Sequence, residues 1–145
     1  MPYIHIQTNH PLSNTQQQQL QQETTQLMDA LMGKRREVTV VQVSDQASER
    51  WSVNGTALSP TQPAAAVVDI KITAGTNTNA EKTALLAATA DMLNSTLGIT
   101  QEACYTIIDE IPAANWGYNG LSQTQRAAQV QGVAQSQDTA QEKGA

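Results

Sequence analysis

The chain has 145 residues, of which 39% are hydrophobic and 14% charged, with a formal net charge of −5. This length fits one domain, and the mild acidity excludes the basic surface that nucleic-acid binding requires. A single Cys excludes an intrachain disulfide and any metal site built from several cysteines. Because most of the apolar side chains are small, we expect some apolar surface to be buried between subunits.

The elements of the first half follow in chain order. Alternating apolar residues predict a strand over 3–8, and an apolar stripe on a Gln-rich background predicts a helix over about 14–32. Gly33 is the C-terminal glycine of this helix. A β-branched run then predicts a buried strand over 38–43.

The second half repeats this order, with a strand over 67–73, a helix over about 79–97 and a strand over 104–111. The segment at 51–55, WSVNG, matches the segment at 116–120, WGYNG, at a shift of 65 positions. Each segment begins with a Trp and ends with an Asn-Gly pair. The two strands of a strand–helix–strand unit run parallel, and the connection between them is a right-handed crossover. The predicted fold is therefore α/β (α+β), with two tandem β-α-β units forming a four-stranded mixed sheet and two helices on one face.

The two helix starts carry the same local signal. Ser13 with Gln16, and Thr78 with Glu81, match the capping-box pattern in which two side chains satisfy the first backbone amides of a helix. The matching pairs support the assignment of a repeat.

The predicted domain spans residues 1–121, with units over about 2–55 and 66–120 and a connector over 56–66. Residues 122–145 are rich in Gln and Ala, with almost no large apolar side chain, which predicts a flexible tail or a frayed helix. The sequence has no apolar run of membrane-spanning length, and its start does not resemble a signal peptide. We therefore expect a cytoplasmic protein that binds neither membranes nor nucleic acid.

Three features together resemble the tautomerase superfamily, which includes 4-oxalocrotonate tautomerase and macrophage migration inhibitory factor. They are Pro2 directly after Met1, the doubled β-α-β unit, and the segment IPAANWGYNG at 111–120. The resemblance covers residues 2–121. It implies a homotrimer, an amino-terminal proline as catalytic base at a subunit interface, a small 2-oxo acid or enol as substrate, and no metal or organic cofactor.

Pro2 can supply this base if Met1 is removed, because the chain then begins with a secondary amine on a rigid ring. An apolar pocket or neighbouring positive charge makes such an amine lose its proton more easily. The free amine can then act as a general base. The alternative is that Pro2 is an ordinary proline at the start of an edge strand.

The resemblance implies roles for further residues. Lys34 matches a family lysine that meets the polar end of the substrate, and Tyr105 matches a tyrosine that faces the proline of a neighbouring subunit. We also expect substrate contacts from Tyr3, Arg36 and Trp116, the last mainly as an interface anchor. The alternatives are a solvated basic run favoured by the helix dipole for the two cations, and interface packing for Tyr105.

The predicted function is a tautomerase, an isomerase that moves a proton between the keto and enol forms of a small 2-oxo acid such as a phenylpyruvate-like compound. The sequence departs from the family pattern at Thr76, which replaces an arginine, and at Ile107, which replaces an asparagine. The second unit also begins without a proline. These departures and the Gln-rich tail leave open a non-enzymatic oligomeric binding protein on the same scaffold. A dehalogenase-like or hydratase-like lyase is a further alternative, but the sequence places neither the paired arginines nor the water-activating acid that such a reaction uses.

Overall fold

A computed structural model describes the backbone of residues 1–98 and 100–142, and the side chains as far as residue 132. The elements are β1 (Tyr3–Thr8), α1 (Asn14–Met32), β2 (Val40–Asp45), β3 (Ser52–Val53), β4 (Thr56–Ala57), β5 (Ala66–Thr73), α2 (Asn79–Leu97), β6 (Tyr105–Ile111), β7 (Gly117–Tyr118), β8 (Leu121–Ser122) and α3 (Gln123–Glu142).

The central sheet has the strand order β2-β1-β5-β6. Strands β1 and β2 are parallel, as are β5 and β6, while the two inner strands β1 and β5 run antiparallel. Helices α1 and α2 pack side by side on one face, over a core that includes Ile4, Ile6, Leu20, Ile70 and Leu85. This arrangement confirms the predicted mixed sheet with two helices on one face.

Both helices begin at the predicted capping boxes. The amide of Gln16 donates to the Ser13 hydroxyl at 3.2 Å, and the amide of Glu81 donates to the Thr78 hydroxyl at the same distance. Gly33 ends α1 in the left-handed region, at φ 61°, where a residue without Cβ is favoured. The predicted bounds of α1 and α2 are therefore confirmed.

The predicted start of the second strand was wrong by two residues. Arg36–Val38 forms a turn of 3₁₀ helix instead, and the Thr39 hydroxyl donates to the Arg35 carbonyl at 2.7 Å. The sheet hydrogen bonds begin at Val40, whose amide donates to the Pro2 carbonyl at 3.2 Å. The β-branched run marks residues suited to a strand, but the chain first has to cross from the helix layer to the sheet.

In each unit, one short hairpin follows the second strand. The two turns have positive φ at Asn54 and Gly55, and again at Asn119 and Gly120, as a type I′ turn requires. The first hairpin extends through Thr56–Ala57, so the predicted connector over 56–66 begins too early. The cause is the Asn-Gly turn, which returns the chain as a paired strand before it leaves for the second unit.

Helix α3 occupies most of the segment for which the sequence left a flexible tail or a frayed helix. It opens with a third capping box, in which the Gln125 amide donates to the Ser122 hydroxyl at 3.2 Å and the Ser122 amide donates to Gln125 Oε1 at 2.9 Å. The flexibility of this segment stays a prediction. Among the described residues, no helix is both long and apolar enough to cross a membrane.

Adjacent leucines of α2 test which face of the helix is buried. Leu85 is 1% exposed and Leu86 is 40% exposed. We expect Leu85→Ala to lower the free energy of unfolding by about 3 kcal/mol, because it leaves a cavity in the core. Leu86→Ala is the matched control and should cost less than about 1 kcal/mol. Equal losses in chemical denaturation would show that the packing of α2 on the sheet is wrong.

Candidate active site

A cavity of about 250 Å³ lies at the start of β1, between the C-terminal end of α1 and the β7–β8 hairpin. It is lined by Met1, Gly33, Lys34, Arg35, Val38, Tyr118 and Gln123. Tyr118 lies in the hairpin of the second unit and Gln123 begins α3, so both repeated units of one subunit contribute to the cavity. A larger groove of about 470 Å³ lies between α1 and α2. Its lining residues are acidic, polar or apolar, and none of them is a Lys or Arg.

Pro2 is buried beside this cavity, and its carbonyl is fixed by the hydrogen bond from Val40 at the start of the β1–β2 ladder. Its nitrogen is bonded to Met1, which lines the cavity. Burial lowers the pKa of the Met1 amino group, and the positive charges of Lys34 and Arg35 lower it further. An amine at this place is therefore biased toward its neutral form, which is the form that accepts a proton.

Lys34 is placed by the end of α1. Its amide donates to the Met28 carbonyl at 3.0 Å, across the left-handed Gly33. Only 8% of the residue is exposed. Its ammonium group donates to the Thr76 hydroxyl at 2.8 Å, in the loop between β5 and α2. The predicted site lysine thus lies in the cavity and connects the first unit to the second.

Burial and the neighbouring carboxylates have opposite effects on the pKa of Lys34. Burial lowers the pKa of the Lys34 ammonium, while the carboxylates of Glu81 and Glu110 raise it. Burial is the larger effect, so the net pKa is lowered. An additional negative group in the cavity, such as the carboxylate of a ligand, would stabilise the charged ammonium.

The two arginines after Lys34 point to different surroundings. Arg35 lines the cavity and lies 3.5 Å from Glu37 in an exposed ion pair. Arg36 lies 3.7 Å from Asp29, at the C-terminal end of α1, and is not among the residues that line the cavity. The structure therefore brings Arg35, rather than the expected Arg36, to Lys34 and the N-terminus.

Trp116 and Tyr118 occupy neighbouring parts of the second hairpin. Tyr118 lines both the cavity and an adjacent depression of about 480 Å³ at the hairpin, whereas Trp116 lines the depression but not the cavity. The indole nitrogen of Trp116 is buried and has no hydrogen-bond partner among the described residues. In a single subunit, Tyr118 is thus closer to the N-terminus than the predicted Trp116.

Tyr3 and Tyr105 lie on the face of the sheet opposite the helices, which we call the open face. The Tyr3 hydroxyl donates to Gln42 Oε1 at 2.9 Å. Tyr105 begins the edge strand β6 and is 62% exposed, and Ile107 on the same face is 45% exposed. Neither tyrosine lines the cavity of its own subunit. Exposed apolar residues along a sheet edge are typical of a surface that another chain covers.

The second unit has no proline at the position that corresponds to Pro2. In the parallel pairing of each unit, Val67 holds the place of Tyr3, so Ala66 holds the place of Pro2. Gln123 is a lining residue of the cavity that was not predicted from the sequence. Its amide donates to the Trp116 carbonyl at 2.8 Å, which places the start of α3 against the hairpin. The pair Ser122 and Gln125 was the signal that a helix begins here.

Comparison with known proteins identifies the family of the second unit. A family model described as tautomerase enzyme matches residues 67–126. "Probable tautomerase K2" of Dickeya dadantii (strain 3937) is 39% identical over 63 residues, which are 43% of this chain and 94% of the relative. That relative therefore has about the length of one β-α-β unit.

Solved structures match the doubled fold. Native fused 4-OT has a TM-score of 0.75 at 20% identity, covering 84% of this chain and 96% of that chain. A wild-type fused 4-OT described as an asymmetric trimer has a TM-score of 0.74 at 21% identity, with the same coverage. A macrophage migration inhibitory factor-like protein from Entamoeba histolytica has a TM-score of 0.69 at 19% identity, covering 83% of this chain and 97% of that chain.

Besides burial, the charge of Lys34 should lower the pKa of the N-terminal amine. We expect Lys34→Gln to raise the pKa of this amine, because a neighbouring positive charge that favours the neutral form is lost. Arg50→Gln is the control, since it removes one positive charge at an exposed residue that does not line the cavity. NMR titration of the N-terminal residue measures both. A pKa unchanged by Lys34→Gln would contradict the electrostatic description of the site.

Proposed function

This chain belongs to the tautomerase superfamily, and we propose that it moves a proton between the keto and enol forms of a small 2-oxo acid, such as a phenylpyruvate-like compound. Membership of the family supports a tautomerase-type activity. The observation that carries the specific proposal is the cavity at the start of β1, where the N-terminus meets two cations, Lys34 and Arg35.

The proposed base is the secondary amine of Pro2 after removal of Met1. Because Pro2 is buried and its carbonyl is hydrogen-bonded, the ring is held in one orientation. The neutral amine takes the proton of the enol hydroxyl and becomes an ammonium. This ammonium then gives a proton to the carbon two atoms away, so the carbonyl forms and the amine is regenerated.

Lys34 and Arg35 bind the anionic part of the substrate in this proposal. The lysine ammonium has three N–H donors, and within the described part of the chain the Thr76 hydroxyl is its hydrogen-bond acceptor. The remaining donors can meet a carboxylate or the oxygen that gains negative charge as the proton leaves. Stabilising that charge in a partly desolvated cavity lowers the barrier. Arg36 is paired with Asp29 and does not line the cavity, so its position does not support a role in substrate binding.

We extend the proposal to a homotrimer. Fused 4-OT, a structural neighbour, is described as a trimer, and such neighbours suggest a homo-oligomer here. The exposed ring of Tyr105 on the edge strand then faces Pro2 of the next subunit, where its hydroxyl donates to the substrate carbonyl. Because Ala66 replaces the proline in the second unit, each subunit contributes one base, and the trimer has three catalytic sites.

Replacement of the base tests the reaction. We expect Pro2→Ala to lower kcat/KM for phenylenolpyruvate by about a hundredfold, because a flexible primary amine replaces the rigid secondary one. Pro60→Ala, in an exposed loop, is the control and should retain full activity. The assay follows the loss of the enol absorbance, and mass spectrometry of each protein reports whether Met1 is removed.

Two results would contradict the proposal. One is equal rates for wild type and Pro2→Ala above the uncatalysed rate, since the proton would then move without the proline. The other is a wild-type mass that retains Met1, since the nitrogen of Pro2 would remain in a peptide bond.

A further inference from the structure

Helix α3 reaches the cavity through the contact between Arg126 and Tyr118. The guanidinium carbon of Arg126 lies 3.6 Å from the centroid of the Tyr118 ring, and its Nη2 donates to the Tyr118 carbonyl at 2.7 Å. Tyr118 lines the cavity and Arg126 does not. The arginine therefore holds the aromatic wall from outside the cavity.

We propose that Arg126 is a positioning residue that fixes the Tyr118 ring and thereby selects ligands with a planar aromatic or conjugated group next to the carboxylate. The inference rests on the proposed function in that it concerns the same cavity. It adds a residue outside the cavity that determines how well the aromatic end of such a ligand is held, because Lys34 and Arg35 account for the anionic end and Tyr118 accounts for the other end. Contact between two aromatic groups is favourable beyond the effect of the apolar area that it buries.

The hairpin that carries Tyr118 needs such support. Its two strands are only Gly117–Tyr118 and Leu121–Ser122, and a hairpin of this size is not stable by itself. The strands approach closely at Gly117, where a Cβ would lie 2.5 Å from the Leu121 carbonyl oxygen. The hairpin is thus tightly closed within itself, but its orientation against the cavity depends on contacts outside it.

Arg126 is placed to provide those contacts by the start of α3. The capping box of Ser122 and Gln125 fixes the first turn, and the Gln123 amide is bonded to the Trp116 carbonyl. One turn later, Arg126 lies beside the hairpin. Its Nε is buried without a hydrogen-bond partner, and no ion pair involves Arg126 among the described residues. The ring and the carbonyl of Tyr118 are therefore its main partners.

Steady-state kinetics with phenylenolpyruvate test the role of Arg126. We expect Arg126→Gln to raise KM about tenfold and to leave kcat within about twofold, because the cation–π contact that fixes the Tyr118 ring is lost while Pro2 and Lys34 are untouched. The pH profile should not move. Arg126→Lys should be intermediate, since it keeps a charge over the ring but loses the planar group. Arg50→Gln, an exposed arginine of the first unit, is the matched control and should behave as wild type.

Ligand binding separates this inference from the proposed function. In NMR titrations of the full chain, Arg126→Gln should weaken phenylpyruvate about tenfold and pyruvate, which lacks the ring, by less than about twofold. If wild type binds phenylpyruvate but turns over no enol, the proposed function fails and the binding ratio still decides the role of Arg126. The proposed role of Arg126 would be overturned if Arg126→Gln weakened both ligands equally or weakened neither. It would also be overturned if wild type bound neither ligand.

A double-mutant cycle with Tyr118→Leu distinguishes loss of the Arg126–Tyr118 contact from a general loss of structure in Arg126→Gln. In Tyr118→Leu, Arg126 has no ring to hold, so adding Arg126→Gln should have little further effect on KM. An effect of Arg126→Gln that persists unchanged in the Tyr118→Leu background would show that the arginine acts elsewhere, and would overturn the proposal. Melting temperatures of the four proteins identify any variant that has lost its fold.

Discussion

The buried ammonium group of Lys34 is the interaction on which the candidate site depends. It follows the left-handed Gly33 at the end of α1 and donates to Thr76 in the second unit. Burying a charge is unfavourable unless it has partners, and here one hydroxyl and two nearby carboxylates, of Glu81 and Glu110, supply them. The same placement brings the positive charge to the N-terminus, where burial lowers the pKa of the Met1 amine and the charges of Lys34 and Arg35 lower it further. One side chain thus joins the two units and contributes to the electrostatics of the cavity.

The repeated architecture separates fold from chemistry. Each unit has a strand, a helix of the same length, a second strand and an Asn-Gly hairpin, but the residues at the start of the strands differ. Ala66 holds the place of Pro2, and Thr100 stands 65 positions after Arg35. The family model matches the unit without the proline, over 67–126. The second unit therefore retains the fold, and only the first unit combines it with the groups that we propose for proton transfer.

Local signals in the sequence were enough for the central elements. The strand β1 and both long helices have the predicted bounds, because periodicity, capping boxes and the C-terminal Gly33 all act within a few residues. The second strand was misplaced because Val38 and Thr39 have strand propensity but lie in the passage between layers. The site was only partly predictable for a related reason. Lys34 could be placed from the end of α1, but the turn at Arg36–Val38 decides which arginine reaches the cavity, and the positions of Tyr118 and Gln123 depend on long-range packing.

The most direct test of the account is the titration of the N-terminal nitrogen in the mature wild-type protein, with proline labelled with ¹⁵N and the chemical shift followed against pH. The account predicts a chain that begins at Pro2, with an amine whose pKa is below that of the same amine in the unfolded chain, because burial and the charges of Lys34 and Arg35 favour the neutral form. A pKa equal to or above the unfolded value, or a nitrogen still bonded to Met1, would contradict it.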